Sequence, residues 1–214
     1  MTTNKKTLFL TQFSILLALE AIVCFTPLGS IPIGPLVATL SAVPVIVTAI
    51  LLGTKAGAAM GFAFGLFSFM VWTFIMPASP IAFVFTPVST VGNVHGNFWS
   101  LIICFVPRIL IGVVAGLSFQ GFSRLFAKLK KGHILAYTLS GILGSLANTI
   151  FVLGGIYVFF GQSYATAIGK TVDLLLGILA TLVATNGILE AVIAGAVAYA
   201  VCYPIKKHMS KLLS

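Results

Sequence analysis

The sequence has little charge, and acidic residues are almost absent. Charged residues make up 7% of the 214 residues, with three acids against twelve lysines and arginines. A globular domain in water covers its surface with many more charged side chains, so this class is excluded. Apolar residues make up 59% of the chain, and the mean hydropathy is +1.16. We therefore expect an all-α integral membrane protein that forms one domain over residues 1–214.

Cysteine and histidine are also scarce, and they are scattered. An odd number of single cysteines in apolar runs gives no disulfide framework and indicates packing residues (Cys24, Cys104, Cys202). The three histidines lie too far apart along the chain to form a metal site (His95, His133, His208). No nucleophile is paired with a base, so we expect no catalytic residue, no metal, no cofactor and no enzymatic activity.

Apolar segments of the roughly 20 residues that cross a bilayer recur along the chain. The first is too long for the apolar region of a signal peptide, so we interpret it as a span. The second is short and follows the proline-rich run Ile31–Pro35, which cannot continue a helix. Six spans are predicted: Leu8–Leu28, Leu36–Leu52, Ala56–Met76, Phe98–Phe122, Ile134–Phe160 and Leu174–Tyr203.

The basic residues predict the orientation, because translocation discriminates against them. With both termini cytoplasmic, Lys170 is the one basic residue in an outer loop, and Arg108 lies within a span. The cytoplasmic side then holds Lys5, Lys6, Lys55, Arg124, Lys128, Lys130, Lys131, Lys206, Lys207 and Lys211. The net charge of +9 is thus explained by topology and attraction to anionic lipid, and nucleic-acid binding is not expected.

A long outer segment, Pro77–Asn97, joins the third and fourth predicted spans. Its apolar residues need cover from water, which argues against disorder, and loops of this length are usually functional. We predict a lid over an outer cavity, and its one ionisable side chain, His95, is a candidate substrate-binding residue. The alternative is a loop that packs on lipid headgroups.

The fourth span carries Arg108 about ten residues from its start. An arginine near mid-membrane costs roughly 3 to 15 kcal/mol unless it has a partner or a wet cavity. Pro107 directly before it lacks an N–H group and leaves the carbonyl of Ile103 free. A charge on a loosened helical turn indicates a binding site.

Three interpretations of Arg108 remain open from the residues alone. Arg108 pairs internally with Glu20 or Glu190, or it faces a cavity and receives an anionic ligand. The third interpretation, a proton relay through the glutamates, has little support in the neighbouring residues. Other polar and aromatic side chains at helical spacing are candidates for the same pocket: Trp72, Trp99, Asn148, Tyr157, Asn186 and Glu190.

Small residues recur every four positions in three spans. Gly57, Gly61 and Gly65 lie in the third, Gly112 and Gly116 in the fourth, and Ser14 and Ala18 in the first. Such spacing permits close approach between helix backbones, within the bundle or with another membrane subunit.

Three stretches together resemble one family: Leu28–Leu36, the Ile-Leu-Leu-Gly-x-Lys-x-Gly turn at Ile50–Gly57, and Phe-x-Pro-Arg-Ile-Leu-Ile-Gly at Phe105–Gly112. The chain resembles the S components of energy-coupling factor transporters, which are substrate-binding membrane subunits of bacterial vitamin importers. The resemblance implies that a vitamin binds from outside, beneath lids at Leu28–Leu36 and Pro77–Asn97. It also implies a membrane coupling subunit of the EcfT type and two cytoplasmic ATPases, whose hydrolysis drives reorientation.

The family's coupling face is an alanine-x-x-x-alanine pattern on the first span, which corresponds here to Ser14 and Ala18. Among the vitamins, the Phe-x-Pro-Arg motif and the apolar lid look most similar to the pantothenate-specific members. Arg108 is then the candidate partner of the carboxylate, and Asn93, Asn97, Asn148 or Asn186 can satisfy the amide and hydroxyl groups of the vitamin. Another vitamin such as riboflavin or folate is an alternative. A stand-alone carrier coupled to ions through Glu20 and Glu190 is another, although the two halves show no repeat.

Overall fold

The computed structural model describes residues 5–33, 36–91 and 94–213, which form a helical bundle with two small β-hairpins. Strands β1 (Ser30–Ile33) and β2 (Leu36–Thr39) form one antiparallel hairpin, and β3 (Thr90–Val91) and β4 (Val94–His95) form the other. The helices are α1 (Lys5–Phe25), α2 (Ala42–Leu52), α3 (Thr54–Met70), α4 (Phe98–Leu125), α5 (Gly132–Ala167), α6 (Val172–Leu182) and α7 (Ile188–Leu213).

Two π-helical turns extend this architecture. One, Val71–Ile75, continues α3, and the other, Val183–Gly187, joins α6 to α7 in a continuous helical segment. Both hairpins lie at one end of the bundle, here called the hairpin end. The opposite end carries the turns after α2 and α4 and the last part of α7, and it is called the basic end.

Five helical segments within the described residues are long and apolar enough to cross a membrane. They correspond to the first, third, fourth, fifth and sixth predicted spans, and they are 20 to 37 residues long. The prediction of an all-α membrane protein is therefore confirmed, apart from the two short hairpins.

The second predicted segment, Leu36–Leu52, forms a different structure. Its first four residues form β2, and its helix α2 has only 11 residues. At 1.5 Å per residue such a helix is about 16 Å long, roughly half of the hydrocarbon thickness. The expectation that Ile31–Pro35 does not continue a helix is confirmed where the structure describes it, by β1.

Helix α2 lies at the centre of the bundle although it is short. Its side chains from Val45 to Ile50 are almost completely buried, and they pack with residues of α3, α4, α5 and α7. Pro44 occupies the first turn of α2, where a missing N–H group costs little. An apolar core thus separates the two ends of the bundle.

Helices α3 and α4 are in direct backbone contact through glycines. A Cβ at Gly57 would lie 3.1 Å from the carbonyl oxygen of Gly112, and one at Gly61 would clash with the carbonyl of Arg108. The predicted role of these small residues in close helix packing is confirmed for this pair of helices. Gly61 therefore fixes the position of the Arg108 backbone.

The segment between α3 and α4 folds against the bundle. Its 3₁₀ turn, Ala82–Val84, is buried, and the ring of Phe83 packs edge-on against Phe160 of α5 at 5.6 Å between centroids. Ser100 in the first turn of α4 donates a hydrogen bond of 2.6 Å to the Phe83 carbonyl. Phe83, Val84 and Phe85 are thus covered, as the composition predicts, whereas Val88 is 71% exposed.

Candidate functional site

A cavity of about 550 Å³ opens at the hairpin end. Its volume falls within the range of roughly 300 to 1,000 Å³ that is typical of small-molecule sites. The end of α1, the loop that follows it, β2, the start of α2 and the second half of α3 supply most of the wall, with one residue each from α4 and α5. The lining residues are Val23, Cys24, Phe25, Thr26, Pro27, Gly29, Thr39, Ser41, Ala42, Phe64, Ser68, Val71, Trp72, Ile75, Met76, Arg108 and Asn148.

Among the described residues, Arg108 is the one cation on this wall, and it is only 6% exposed. Its Nη1 donates to the carbonyl of Ile103 at 2.9 Å, and its Nη2 lies 3.5 Å from Ser68 Oγ, at the outer limit of a hydrogen bond. The Ile103 carbonyl is the acceptor that Pro107 leaves without a helical partner. The broken turn therefore holds the guanidinium in place through its own free carbonyl.

Two aromatic rings also face the guanidinium. Its central carbon lies 5.0 Å from the ring centroid of Phe85 and 5.6 Å from that of Phe64. Such cation–π contacts contribute about 1 to 2 kcal/mol when they are desolvated, which is much less than the cost of burying a charge. The Nε of Arg108 has no hydrogen-bond partner among the described residues. The charge is therefore positioned but not neutralised.

Neither intramembrane glutamate pairs with Arg108 in the described structure. Glu20 is completely buried, its Oε1 accepts a hydrogen bond from Cys24 Sγ at 3.2 Å, and its Oε2 has no partner there. Glu190 is used by Thr39, whose backbone N–H and hydroxyl both donate to Oε1. The geometry thus favours an Arg108 that is available to a ligand over an internal ion pair.

Asn148 of α5 is a second polar residue on the cavity wall whose side chain lacks a hydrogen-bond partner. Its Oδ1 is buried and has no hydrogen-bond partner within the described residues, yet the side chain lines the cavity. A buried acceptor without a donor costs roughly 1 to 3 kcal/mol. Arg108 and Asn148 together leave one charged donor and one acceptor unsatisfied on the same cavity wall.

The π-helical turn Val71–Ile75 shapes the apolar side of the cavity. Such turns occur frequently at functional sites, because the extra residue changes the direction of the side chains. Val71, Trp72 and Ile75 of this turn line the cavity, and the Trp72 ring stacks on Phe85 at 5.0 Å between centroids. Phe85 therefore connects the segment before α4 to both Trp72 and Arg108.

The first hairpin is connected to α7 by hydrogen bonds. Thr39, the last residue of β2, lines the cavity and binds Glu190 of α7. The contact joins residues 151 positions apart in the sequence. The hairpin is therefore held next to the cavity by one carboxylate.

The structure brings together only some of the residues proposed from the sequence. Arg108, Trp72 and Asn148 line the cavity, and Glu190 reaches it through Thr39. Asn93 lies outside the described residues. The others lie away from the cavity wall: His95, Asn97, Trp99, Tyr157 and Asn186.

These other residues have local roles at the hairpin end. Asn97 caps α4 by accepting a hydrogen bond from the Trp99 N–H at 2.9 Å, and His95 Nδ1 lies 3.0 Å from Thr90 Oγ1. Trp99 is about half exposed and stacks on Phe159. Tyr157 is exposed on α5, and Asn186 lies in the second π-helical turn.

Several cavity residues carry no strong signal in the sequence. Thr39, Ser41 and Ser68 are small hydroxyl residues of a kind common in membrane helices and turns. Cys24 is a single cysteine in an apolar run, which usually indicates a packing residue. Cys24 follows Glu20 by four positions, which places both on one face of α1. That spacing is the one available indication that Cys24 lies next to a polar group.

The chain is similar in sequence to known membrane transport proteins. Residues 8–202 match the family described as "ECF transporter, substrate-specific component". The chain is also 34% identical, over 161 residues, to a protein of Lactococcus lactis subsp. cremoris named "Pantothenic acid transporter PanT". The match covers 75% of this chain and 73% of that protein. These are transport proteins of the cell membrane and not enzymes. The chain therefore belongs to the substrate-specific components of energy-coupling factor transporters, the membrane subunits that serve vitamin uptake.

Proposed function

We propose that the chain binds pantothenate in the Arg108 cavity and delivers it to the cell as part of an ATP-driven importer. The observation that carries this proposal is the pair of unfilled polar groups on the cavity wall, the Arg108 guanidinium and the Asn148 Oδ1. A ligand that satisfies both groups must present an anionic acceptor to the guanidinium and a hydrogen-bond donor to the amide oxygen.

Pantothenate has this chemistry. Its carboxylate fits the guanidinium, which has five N–H donors and can bind a carboxylate with two of them. Its amide N–H and hydroxyl groups are donors for Asn148, and the hydroxyl groups of Ser68 and Thr39 lie on the same wall. Its dimethyl-substituted carbon fits the apolar side formed by Phe64, Trp72 and Ile75. The name of the Lactococcus relative supports the same ligand.

The orientation follows from the charges at the two ends. The basic end carries Lys55, Arg124 and the lysines of the turn after α4, whereas the hairpin end carries Lys170. By the positive-inside rule, the basic end and both termini lie in the cytoplasm, and the Arg108 cavity opens outward. Helix α2, with the β1–β2 hairpin, serves as the sixth crossing of the bundle.

The two hairpin-end segments serve as lids in this proposal. The segment Pro77–Asn97 brings Phe85 against both Trp72 and Arg108, and β2 brings Thr39 to the other side of the cavity. Ligand entry then requires movement of at least one of these segments. The Thr39–Glu190 contact holds the β1–β2 hairpin in place.

The coupling partner is proposed to dock on the outward face of α1. Ser14 and Ala18 are exposed on this face, while Phe13, Leu16 and Leu17 pack into the core from the other side. A coupling subunit that binds there connects the chain to two cytoplasmic ATPases. Their ATP hydrolysis then drives the reorientation that releases the vitamin inside.

The experiment that tests this function is a calorimetric screen of the detergent-purified chain against water-soluble vitamins, without any ion gradient. We expect saturable binding of pantothenate at one site, and no comparable binding of riboflavin or folate. Tighter binding of another vitamin would reject the assigned ligand. Uptake by the chain alone in sealed vesicles, driven by protons or sodium, would contradict the importer subunit.

A further inference from the structure

A second cavity, of about 430 Å³, lies at the basic end of the bundle. The end of α2, the second half of α4 and the last part of α7 form its wall, so it lies on the far side of the apolar core from Arg108. Two of its residues are cations. The lining residues are Ala49, Ile50, Leu51, Leu52, Gly53, Gly116, Phe119, Gln120, Ser123, Arg124 and Lys206.

Within the part of the chain that the structure describes, the two cations of this cavity have no acidic partner. Lys206 Nζ lies over the ring of Phe119 at 4.3 Å from its centroid, which holds the ammonium group against the cavity wall. The Arg124 side chain is exposed and makes no hydrogen bond or ion pair within the described ranges. The three acids of the chain all lie elsewhere: Glu20 in α1, Asp173 in the first turn of α6, and Glu190 beside the hairpin.

Backbone groups and neighbouring residues add to the positive potential here. Gly53 on the cavity wall directly precedes α3, whose first turn has no side-chain cap for its free N–H groups. Lys55 on that turn is exposed as well. The cavity is therefore the concave part of a larger basic surface, and an anion is the complementary ligand.

Apolar side chains mark the position of the membrane next to this cavity. Leu117 on α4 is 56% exposed, Leu125 at the end of α4 is 69% exposed, and Leu129 in the following turn is 54% exposed. Large exposed leucines on a membrane protein contact acyl chains. The cations of the cavity thus lie next to the apolar belt, at the depth of lipid headgroups.

We propose that this cavity binds the phosphate of an anionic phospholipid, with Arg124 and Lys206 as its ligands. Basic pockets between membrane helices recognise such headgroups by charge, and the adjacent leucines accommodate the acyl chains. A free phosphate would satisfy the cations but would leave the leucines unused, which favours the lipid. The site goes beyond the proposed vitamin binding and does not depend on the ligand of the Arg108 cavity.

The test compares phosphatidylglycerol with phosphatidylcholine of the same acyl chains, by native mass spectrometry of the full chain in detergent. The double variant Arg124→Gln and Lys206→Gln is compared with Lys130→Gln and Lys131→Gln, which removes the same charge from the exposed turn after α4. We expect the wild type and the control to prefer phosphatidylglycerol. The double variant should lose at least ten-fold in apparent affinity. Equal retention by both variants, or equal binding of the two lipids by the wild type, would overturn the proposal.

Two further measurements separate the alternatives. Inorganic phosphate at millimolar concentration should not displace phosphatidylglycerol from the wild type, and displacement would overturn the assignment to lipid. The single variant Arg124→Gln changes an exposed side chain and is expected to fold, with at least a three-fold loss of lipid affinity. Unchanged lipid affinity in it would contradict the role of Arg124. Vitamin binding by calorimetry should be the same in the wild type and in all variants. Absence of vitamin binding in the wild type would count against the proposed function and not against this site.

Discussion

Glu190 accepts two hydrogen bonds from Thr39 through one carboxylate oxygen, from the backbone N–H at 3.0 Å and from the hydroxyl at 2.6 Å. The contact joins the end of the first hairpin to the start of α7. Because Thr39 also lines the Arg108 cavity, the position of the hairpin depends on an acid that does not itself line that cavity.

Glu190→Ala is therefore expected to accelerate ligand release. Hydrogen bonds to a charged group contribute about 1.5 to 3 kcal/mol, so the loss corresponds to a dissociation rate roughly ten-fold or more higher. Glu190→Gln keeps an acceptor and should lie between this variant and the wild type. Stopped-flow release of the bound vitamin measures the rate, with Asp173→Asn as the control at an acid in α6. An unchanged release rate in Glu190→Ala would show that the hairpin does not retain the ligand.

Arg108→Ala is expected to weaken binding of the vitamin by at least ~2 kcal/mol, or about thirty-fold, because a charge-assisted pair is lost from a desolvated site. Arg108→Lys keeps the charge but loses the planar fork, and it should bind with intermediate affinity. Calorimetry measures both affinities. The ligand-free protein should keep its thermal stability, since the contacts that are lost, with the Ile103 carbonyl and two rings, are offset by removal of a buried charge without an ionic partner in the described structure. Unchanged affinity together with a large loss of stability would assign Arg108 a structural role.

Asn148→Leu separates binding from folding at the second unfilled group. The substitution removes a buried acceptor that has no donor in the described structure, so the ligand-free protein should be as stable as the wild type or more stable. Binding should weaken by about 1 kcal/mol, or roughly five-fold, because the ligand loses one neutral hydrogen bond. Thermal unfolding in detergent and calorimetry give the two values. A destabilised protein with normal affinity would contradict the proposed role of Asn148.

Gly61→Ala is expected to disturb both the fold and the site. A Cβ at this position clashes with the Arg108 carbonyl, so α3 and α4 must separate, at a cost of about 1 to 3 kcal/mol. Gly177→Ala in α6 is the matched control, since a Cβ there has no heavy atom within 4 Å. Thermal unfolding and ligand affinity are measured for both variants. Equal behaviour would show that close contact between α3 and α4 is not required.

Ala18→Trp is expected to abolish uptake by the assembled importer while ligand binding stays normal, because the residue lies on the exposed face of α1. Ala180→Trp makes the same change at an exposed alanine of α6 and should preserve uptake. Transport of labelled vitamin by the reconstituted complex is compared with calorimetry of the isolated chain. Loss of binding in Ala18→Trp would place the first helix in the site or the core. Normal uptake would move the docking surface elsewhere.

The long helices were predictable because a bilayer requires about 20 apolar residues in a row, and this pattern is visible in the sequence. The second segment was predicted less well. Its apolar residues, from Leu36 to Leu52, are compatible with a span, a strand or a buried helix, and composition alone does not separate these. Contacts with five other helices, and not hydropathy, determine the short central helix α2.

The candidate site was predictable where a polar residue interrupts an apolar run. Arg108 and Asn148 satisfy this condition, and both lie on the cavity wall. Trp99 and Tyr157 do not line that wall, because the rotation of a helix about its axis depends on packing that periodicity does not give. Asn97 could have been recognised as a cap from its spacing to Ser100, which completes a capping box.

The short central helix has a consequence for the cell. Its fully buried residues, among them Val45, Ile46 and Ile50, fill the space between the two cavities with hydrocarbon. An ion that crossed there would have to lose its hydration shell, as it would in the lipid itself. The ligand-free subunit therefore gives ions no path through this core. The membrane can hold many copies without losing the electrical potential across it.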